Sequence, residues 1–176
     1  MEIIEHSGQT YYRYTNKWVD KNNMVVHQSL QFELNSLFAA SLDLSGMNPW
    51  KLIEEGDKYK DDESYILAIR FYEEAIETCD AKTLKYILPR ISSCYRKAKS
   101  PQKAINLFAE TKSKYGVEIL TPVLLTTAAA AYCDMLEYEK AKICAEKAKK
   151  ALRGEFSIEL NLVETRIKKG IDGNKA

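Results

Sequence analysis

Two histidines, His6 and His27, are all that 176 residues provide for histidine-based acid–base or nucleophilic chemistry. Neither stands beside a serine or cysteine in a recognisable nucleophile motif, one lying near the terminus and the other at the end of a strand-like run. Four cysteines, Cys79, Cys94, Cys133 and Cys144, include no pair two residues apart and no histidine nearby. Structural zinc needs close-set ligand pairs, so these read as buried thiols on helices. The acidic run Asp61-Asp62-Glu63 falls in a turn and reads as a solvated surface, not an acid pair or metal site. There is no glycine-rich phosphate loop, nucleophile elbow or paired-histidine metal helix. These residue types point to a protein without catalysis, cofactor or metal.

The other chemistry that residue types suggest is stacking. Tyr11, Tyr12, Arg13, Tyr14, Lys17, Trp18 and Lys21 mix aromatic and basic groups. Exposed on a sheet, Tyr12, Arg13, Tyr14, Lys17 and Trp18 could stack bases and neutralise phosphates. Strand alternation sends about half of them inward, and Glu2, Glu5 and Asp20 dilute the charge. The whole-chain formal charge of +1 gives no reason to expect nucleic acid or an anionic membrane as partner. The start, Met1 to Gly8, is charged and lacks the apolar run of a secretory signal. No segment approaches the roughly 20 apolar residues of a membrane span. A soluble, cytoplasmic protein is expected.

These groups need elements to position them. Tyr11–Tyr14, Lys17–Val19 and Met24–Val26 are strand-like runs separated by Thr15-Asn16 and by Asp20-Lys21-Asn22-Asn23, which predicts a two- or three-stranded meander. So small a sheet needs support. From Ser29, a candidate N-cap, Leu30, Leu34, Leu37, Phe38 and Leu42 recur at helical spacing. That helix could cover the first of the hairpins that follow. Ser45 to Pro49 then reads as a linker and helix start.

Between Pro49 and Leu152 one pattern is written three times. Gly56, Tyr59, Ala68, Tyr72 and Ala75 stand 3, 9, 4 and 3 residues apart. Ser92, Tyr95, Ala104, Phe108 and Thr111 keep those intervals, as do Ala129, Tyr132, Ala141, Ala145 and Ala148. Three and four residues make one helical turn and nine bridges a short connection, so each copy predicts a helical hairpin with small residues at the crossing. Ser100-Pro101 and Thr121-Pro122 mark helix starts. Pro89 falls inside the expected first helix of the second copy, which opens near Thr83; a later start, with Pro89 in the first turn, is the alternative. Ile158 to Lys169 predicts a solvated capping helix, with Arg166 where a fourth copy would place a small residue, and Ile171 to Ala176 a frayed tail.

This pattern resembles the tetratricopeptide repeat family over about 60% of the chain. Ala68, Ala104 and Ala141 lie 36 and 37 residues apart, against a family period of 34. The resemblance implies a mainly α fold. Residues 1–48 are expected to form a β attachment and capping helix, and residues 49–170 a helical repeat domain of three hairpins and a cap. It further implies a non-catalytic adaptor that binds a protein or peptide segment, or another copy of itself, on the face built from first helices. Carried over by register, that face presents Trp50, Ile53, Glu54, Asp57 and Lys60, then Tyr86, Arg90, Ser93, Arg96 and Lys97, then Val123, Thr127, Ala130 and Asp134. An apolar end near Trp50 and Tyr86 and the cations Arg90, Arg96 and Lys97 would suit a segment with an acidic group. The carboxylate clamp that some relatives use for chaperone tails is missing. Ile53, Asp57, Arg90, Val123 and Thr127 stand at its positions.

Overall fold

The computed structural model describes residues 1–173 and divides into two compact units, Met1–Thr78 and the residues from Cys79 onward. That boundary falls within the span 49–170. It leaves the first hairpin grouped with the N-terminal sheet.

The first unit opens with an antiparallel sheet, β1 (Glu2–His6), β2 (Gln9–Tyr14) and β3 (Lys17–Val19), in that spatial order. The expected third strand at Met24–Val26 is only an isolated bridge from Val25 to Val19; the extra strand is instead β1. Its turn, Ser7-Gly8, has both residues at positive φ (52° and 74°), the conformation a two-residue hairpin loop demands. Helix α1 (Gln28–Ser41) covers one face of the sheet, where Tyr11, Trp18 and Leu34 form a small core with Ile4, Val26, Leu30 and Phe38. Its N-cap is His27, not Ser29: the imidazole accepts from the Ser29 amide. Leu37, expected on the buried face, is exposed. Helices α2 (Pro49–Asp61) and α3 (Tyr65–Thr78) pair as the first hairpin, and α1 packs on α3. Asn48 caps α2 by accepting from the Trp50 amide, with Pro49 at the first helical position. Tyr59 of α2 stacks on Phe71 of α3, ring centroids 5.3 Å apart.

The second unit holds α4 (Ala81–Lys97), α5 (Pro101–Tyr115), α6 (Pro122–Asp134), α7 (Tyr138–Leu152) and α8 (Ile158–Gly173). Helix α4 pairs with α5, and α6 with α7; α6 also packs on α4 and α8, and α7 on α8. Pro89 does sit inside α4, whose N-cap Asp80 accepts from the Thr83 amide at 2.7 Å. The hydrogen bond its ring forfeits is to the carbonyl of Lys85, a solvent-exposed residue. Thr121 caps α6 through its hydroxyl as expected, whereas Ser100 occupies the cap position of α5 without a side-chain cap bond. Ala128 to Ala131 are all buried, and Ala129 joins Ala141, Ala145 and Ala148 in one core with Leu160, Val163 and Ile167 of α8. Helix α8 runs on through Ile171, which packs against that core, so the expected fraying does not begin there. The rest of the expected tail, 174–176, lies outside the described residues.

The three hairpin turns share one geometry. In the first, the Ser64 amide donates to the Tyr59 carbonyl (2.8 Å) and the Glu63 amide to Lys60 (3.0 Å). Ser100 to Tyr95 (2.8 Å) with Lys99 to Arg96 (3.1 Å), and Glu137 to Tyr132 (2.9 Å) with Leu136 to Cys133 (3.1 Å), repeat it. Each is a Schellman motif that satisfies the last carbonyls of the first helix. Its left-handed residue is Glu63, Lys99 or Leu136, at φ 58°, 59° and 62°. The aromatic of each sequence repeat thus marks where its first helix ends.

Candidate functional site

The two histidines and three of the four cysteines take structural positions. His6 lies 3.1 Å from Glu33, tying β1 to α1, and His27 is spent as a helix cap. Cys94, Cys133 and Cys144 are buried on α4, α6 and α7, while Cys79 is half-buried between helices, contrary to the expectation that all four lie on helices. Burial pushes the Cys133 and Cys144 thiols up, away from the thiolate that reacts or binds metal. Among the described residues no group of three His, Cys, Asp or Glu side chains could hold a metal ion, and no helix is long and apolar enough to cross a membrane.

The aromatic–basic strand does not present the stacking surface that its composition suggests. Arg13 is 3% exposed and Trp18 0%. Strand alternation turns both onto the covered face of the sheet, since Arg13 pairs directly with Trp18 across β2 and β3. Trp18 meets Phe38 edge-on at 5.8 Å and donates from Nε1 to Asn35 Oδ1 at 2.9 Å. The Arg13 guanidinium donates to the Ser64 hydroxyl (3.0 Å), lies 3.6 Å from Glu2 and sits 5.2 Å from the Tyr59 ring centroid. Together with Asn16 Nδ2 on the Asp62 carbonyl (3.1 Å), it ties the sheet to the first hairpin's turn. Of the five residues proposed for bases, only Tyr12, Tyr14 and Lys17 keep surface.

Three further candidates sit in the first unit. Trp50 is 58% exposed at the start of α2, but Ile53 is 2% exposed and belongs to the core, so it offers a partner nothing. Asp57 is engaged within the hairpin: it accepts from the Tyr72 hydroxyl at 2.6 Å and pairs with Lys60 at 3.4 Å.

The remaining candidates belong to the second unit. Along α4, Tyr86, Arg90, Ser93 and Lys97 recur at helical spacing on one stripe. Tyr86 is exposed, and the Arg90 guanidinium lies 3.4 Å from its ring centroid while donating to the Tyr86 carbonyl at 3.0 Å. Ser93 is half-buried and Lys97 exposed. On α6, the Thr127 hydroxyl donates to the Val123 carbonyl of the preceding turn, beside the exposed Val123 side chain. At the far end of both helices Asp134 receives two arginines, Arg96 Nε and Arg166 Nη2, each at 2.6 Å. Burial pushes the Asp134 carboxyl up, but the guanidiniums outweigh it and hold it below the usual carboxylate range. Arg96 is therefore not an idle cation; it is one arm of a bridge joining α4, α6 and α8. Arg166 was visible in sequence only as a misfit at a small-residue position, and its role follows from facing Asp134.

Charge divides sharply between the units. The first carries 7 Lys or Arg against 14 Asp or Glu, a formal −7; the second carries 19 against 11, a formal +8. The whole-chain value of +1 conceals this.

No protein-family model matches the sequence, and no curated protein does. The fold does match a solved structure, the crystal structure of the Sgt2 TPR domain from Aspergillus fumigatus. The TM-score is 0.62 at 22% sequence identity, over 73% of this chain and 82% of that one. The chain thus has the tetratricopeptide-repeat fold, with a three-stranded antiparallel sheet added at its N-terminus.

Proposed function

We propose that this chain is a non-catalytic protein-binding module whose second unit takes an acidic segment of a partner along the face made by α4, α6 and α8. The fold that serves elsewhere as a binding scaffold is one support. The observation that carries the reading is the formal +8 of the second unit, to which Arg90, Arg96 and Lys97 of α4 and Arg166 of α8 contribute, Arg96 and Arg166 meeting at Asp134. Arg96 and Arg166 each spend one nitrogen on Asp134, so each guanidinium retains further N–H donors for a ligand carboxylate. Tyr86 and Val123 add apolar surface next to these charges. Ser93 and Thr127 line the same stripes. Such a surface recognises by electrostatic complementarity, which sets on-rate and selectivity more than raw affinity.

The test is fluorescence anisotropy with a labelled peptide that alternates glutamate with apolar residues, against its lysine counterpart. The acidic peptide should bind, more weakly as salt rises. Reversing two charges on the α4 stripe, Arg90→Glu with Lys97→Glu, should weaken it at least about tenfold. Equal binding of both peptides, or full affinity in a folded double variant, would remove this face from consideration.

A further inference from the structure

The sheet of the first unit closes one edge and leaves the other open. At β3 the Gln31 side chain of α1 acts as a surrogate strand: the Trp18 amide donates to its Oε1 (2.8 Å) and its Nε2 donates to the Trp18 carbonyl (2.7 Å). The Val26 amide donates to that same carbonyl at 3.2 Å. At β1 there is no such plug. Among the described residues, no backbone or side-chain group hydrogen-bonds to its outer edge, and Glu2–His6 contains no proline or lysine to keep another strand away.

Parity shows which backbone groups are on offer. A two-residue hairpin loop closes on a hydrogen-bonded pair, here His6 with Gln9, and the alternation then turns His6, Ile4 and Glu2 toward β2. The amides and carbonyls of Ile3 and Glu5 point outward. We propose that β1 pairs antiparallel with β1 of a second copy, joining the two sheets across a two-fold axis at Ile4. Ile3 then exchanges hydrogen bonds with Glu5 of the second copy, and Glu5 with Ile3, the self-complementary arrangement a two-fold interface requires. Ile4 faces Ile4, and Glu2 faces His6, so no carboxylate is set directly against another. A register shifted one way opposes Glu5 to Glu5, and shifted the other way leaves His6 outside the ladder. Ile3, 52% exposed on the uncovered face of the sheet, gains its counterpart as a diagonal neighbour.

The contact is short, so the dimer is a weak one. Both first units carry −7, and salt should therefore strengthen it, the opposite sign from capture of an acidic peptide by the second unit. Sedimentation of the full chain at up to about 200 µM, in low and high salt, should show the mass rising from 20.1 kDa toward about twice that value. Ile3→Pro deletes an outward amide without touching the β2 ladder and should weaken association at least about tenfold, because the symmetry counts each loss twice. Ile3→Glu sets carboxylate against Glu5 and should weaken it similarly, whereas Ile3→Lys, facing the same Glu5, should keep or strengthen it. Unchanged far-UV circular dichroism checks that the variants fold. A chain that stays at 20.1 kDa throughout, or a dimer that folded Ile3→Pro and Ile3→Glu variants retain, overturns the proposal.

Discussion

Replacing Gly56 by alanine pits two effects of opposite sign against each other within the first hairpin. Helix propensity alone favours alanine over glycine inside α2 by about 1 kcal/mol. Packing opposes it. A Cβ built on Gly56 would stand 2.7 Å from Tyr72 Cε1 and 2.9 Å from Cδ1, closer than carbon atoms approach without displacement. The ring has nowhere to go, since Tyr72 is fully buried and its hydroxyl is held by Asp57 at 2.6 Å. Overpacking of this kind costs about 1–3 kcal/mol, and breaking the Tyr72–Asp57 bond to make room adds about 1 more. Gly56→Ala should therefore destabilise the first unit by about 1–3 kcal/mol net, read as an earlier midpoint in urea denaturation followed by circular dichroism. Adding Tyr72→Leu, which supplies space, should show coupling: the alanine should be less harmful there than in the parent. An alanine variant as stable as the parent, or more so, would mean that α2 and α3 do not cross closely at this glycine and that helix propensity governs the position.

Other expectations test separate links. Asp134, with its folded pKa depressed, contributes stability that is fully present above its unfolded pKa of about 3.9 and is lost as pH falls through the lower folded value. Asp134→Asn should therefore lower stability at neutral pH and flatten the second unit's acid transition; an unchanged transition would contradict the double arginine bridge. Leu136→Gly should stabilise by about 0.5–1 kcal/mol, because an exposed leucine sits left-handed at φ 62° where a Schellman turn favours glycine; a loss in thermal denaturation would refute it. Trp18→Ala should cost about 3–5 kcal/mol in the first unit by chemical denaturation, and a loss below about 1 would contradict its burial among Tyr11, Leu34 and Phe38.

The hairpins were legible because their determinants are local and repeated: Gly56 against Tyr72, and the Ala141–Ala145–Ala148 stripe of α7, express crossing geometry in residue size alone. The turns were less so. A Schellman motif usually announces itself by glycine, and Glu63, Lys99 and Leu136 hide the conformation behind ordinary side chains. Strand β1 escaped for a related reason. Glu2-Ile3-Ile4-Glu5-His6 has no clean polar–apolar alternation, because its inward Glu2 is neutralised by Arg13, thirteenth in sequence but opposite it in the sheet. The Ser7-Gly8 dipeptide was the one available signal.

For the site, burial and charge partition were the missing quantities. A tyrosine-arginine-tryptophan hairpin looks the same whether it reads a base or fills a core, and only the covering helix α1, with Asn35 placed for the indole nitrogen, decides it. Net charge is limited in a different way, since it is a sum over the chain while a partner meets one surface at a time. Salt at physiological strength screens exposed charges beyond about 8 Å; the proposed face offers Arg90, Arg96, Lys97 and Arg166, while 14 of the 25 carboxylates that bring the total to +1 belong to the first unit. The second unit's +8 is therefore a magnitude that the total of +1 hides. On the proposed reading, in which an acidic segment binds this face, the salt dependence of binding measures how many of these cations the segment meets.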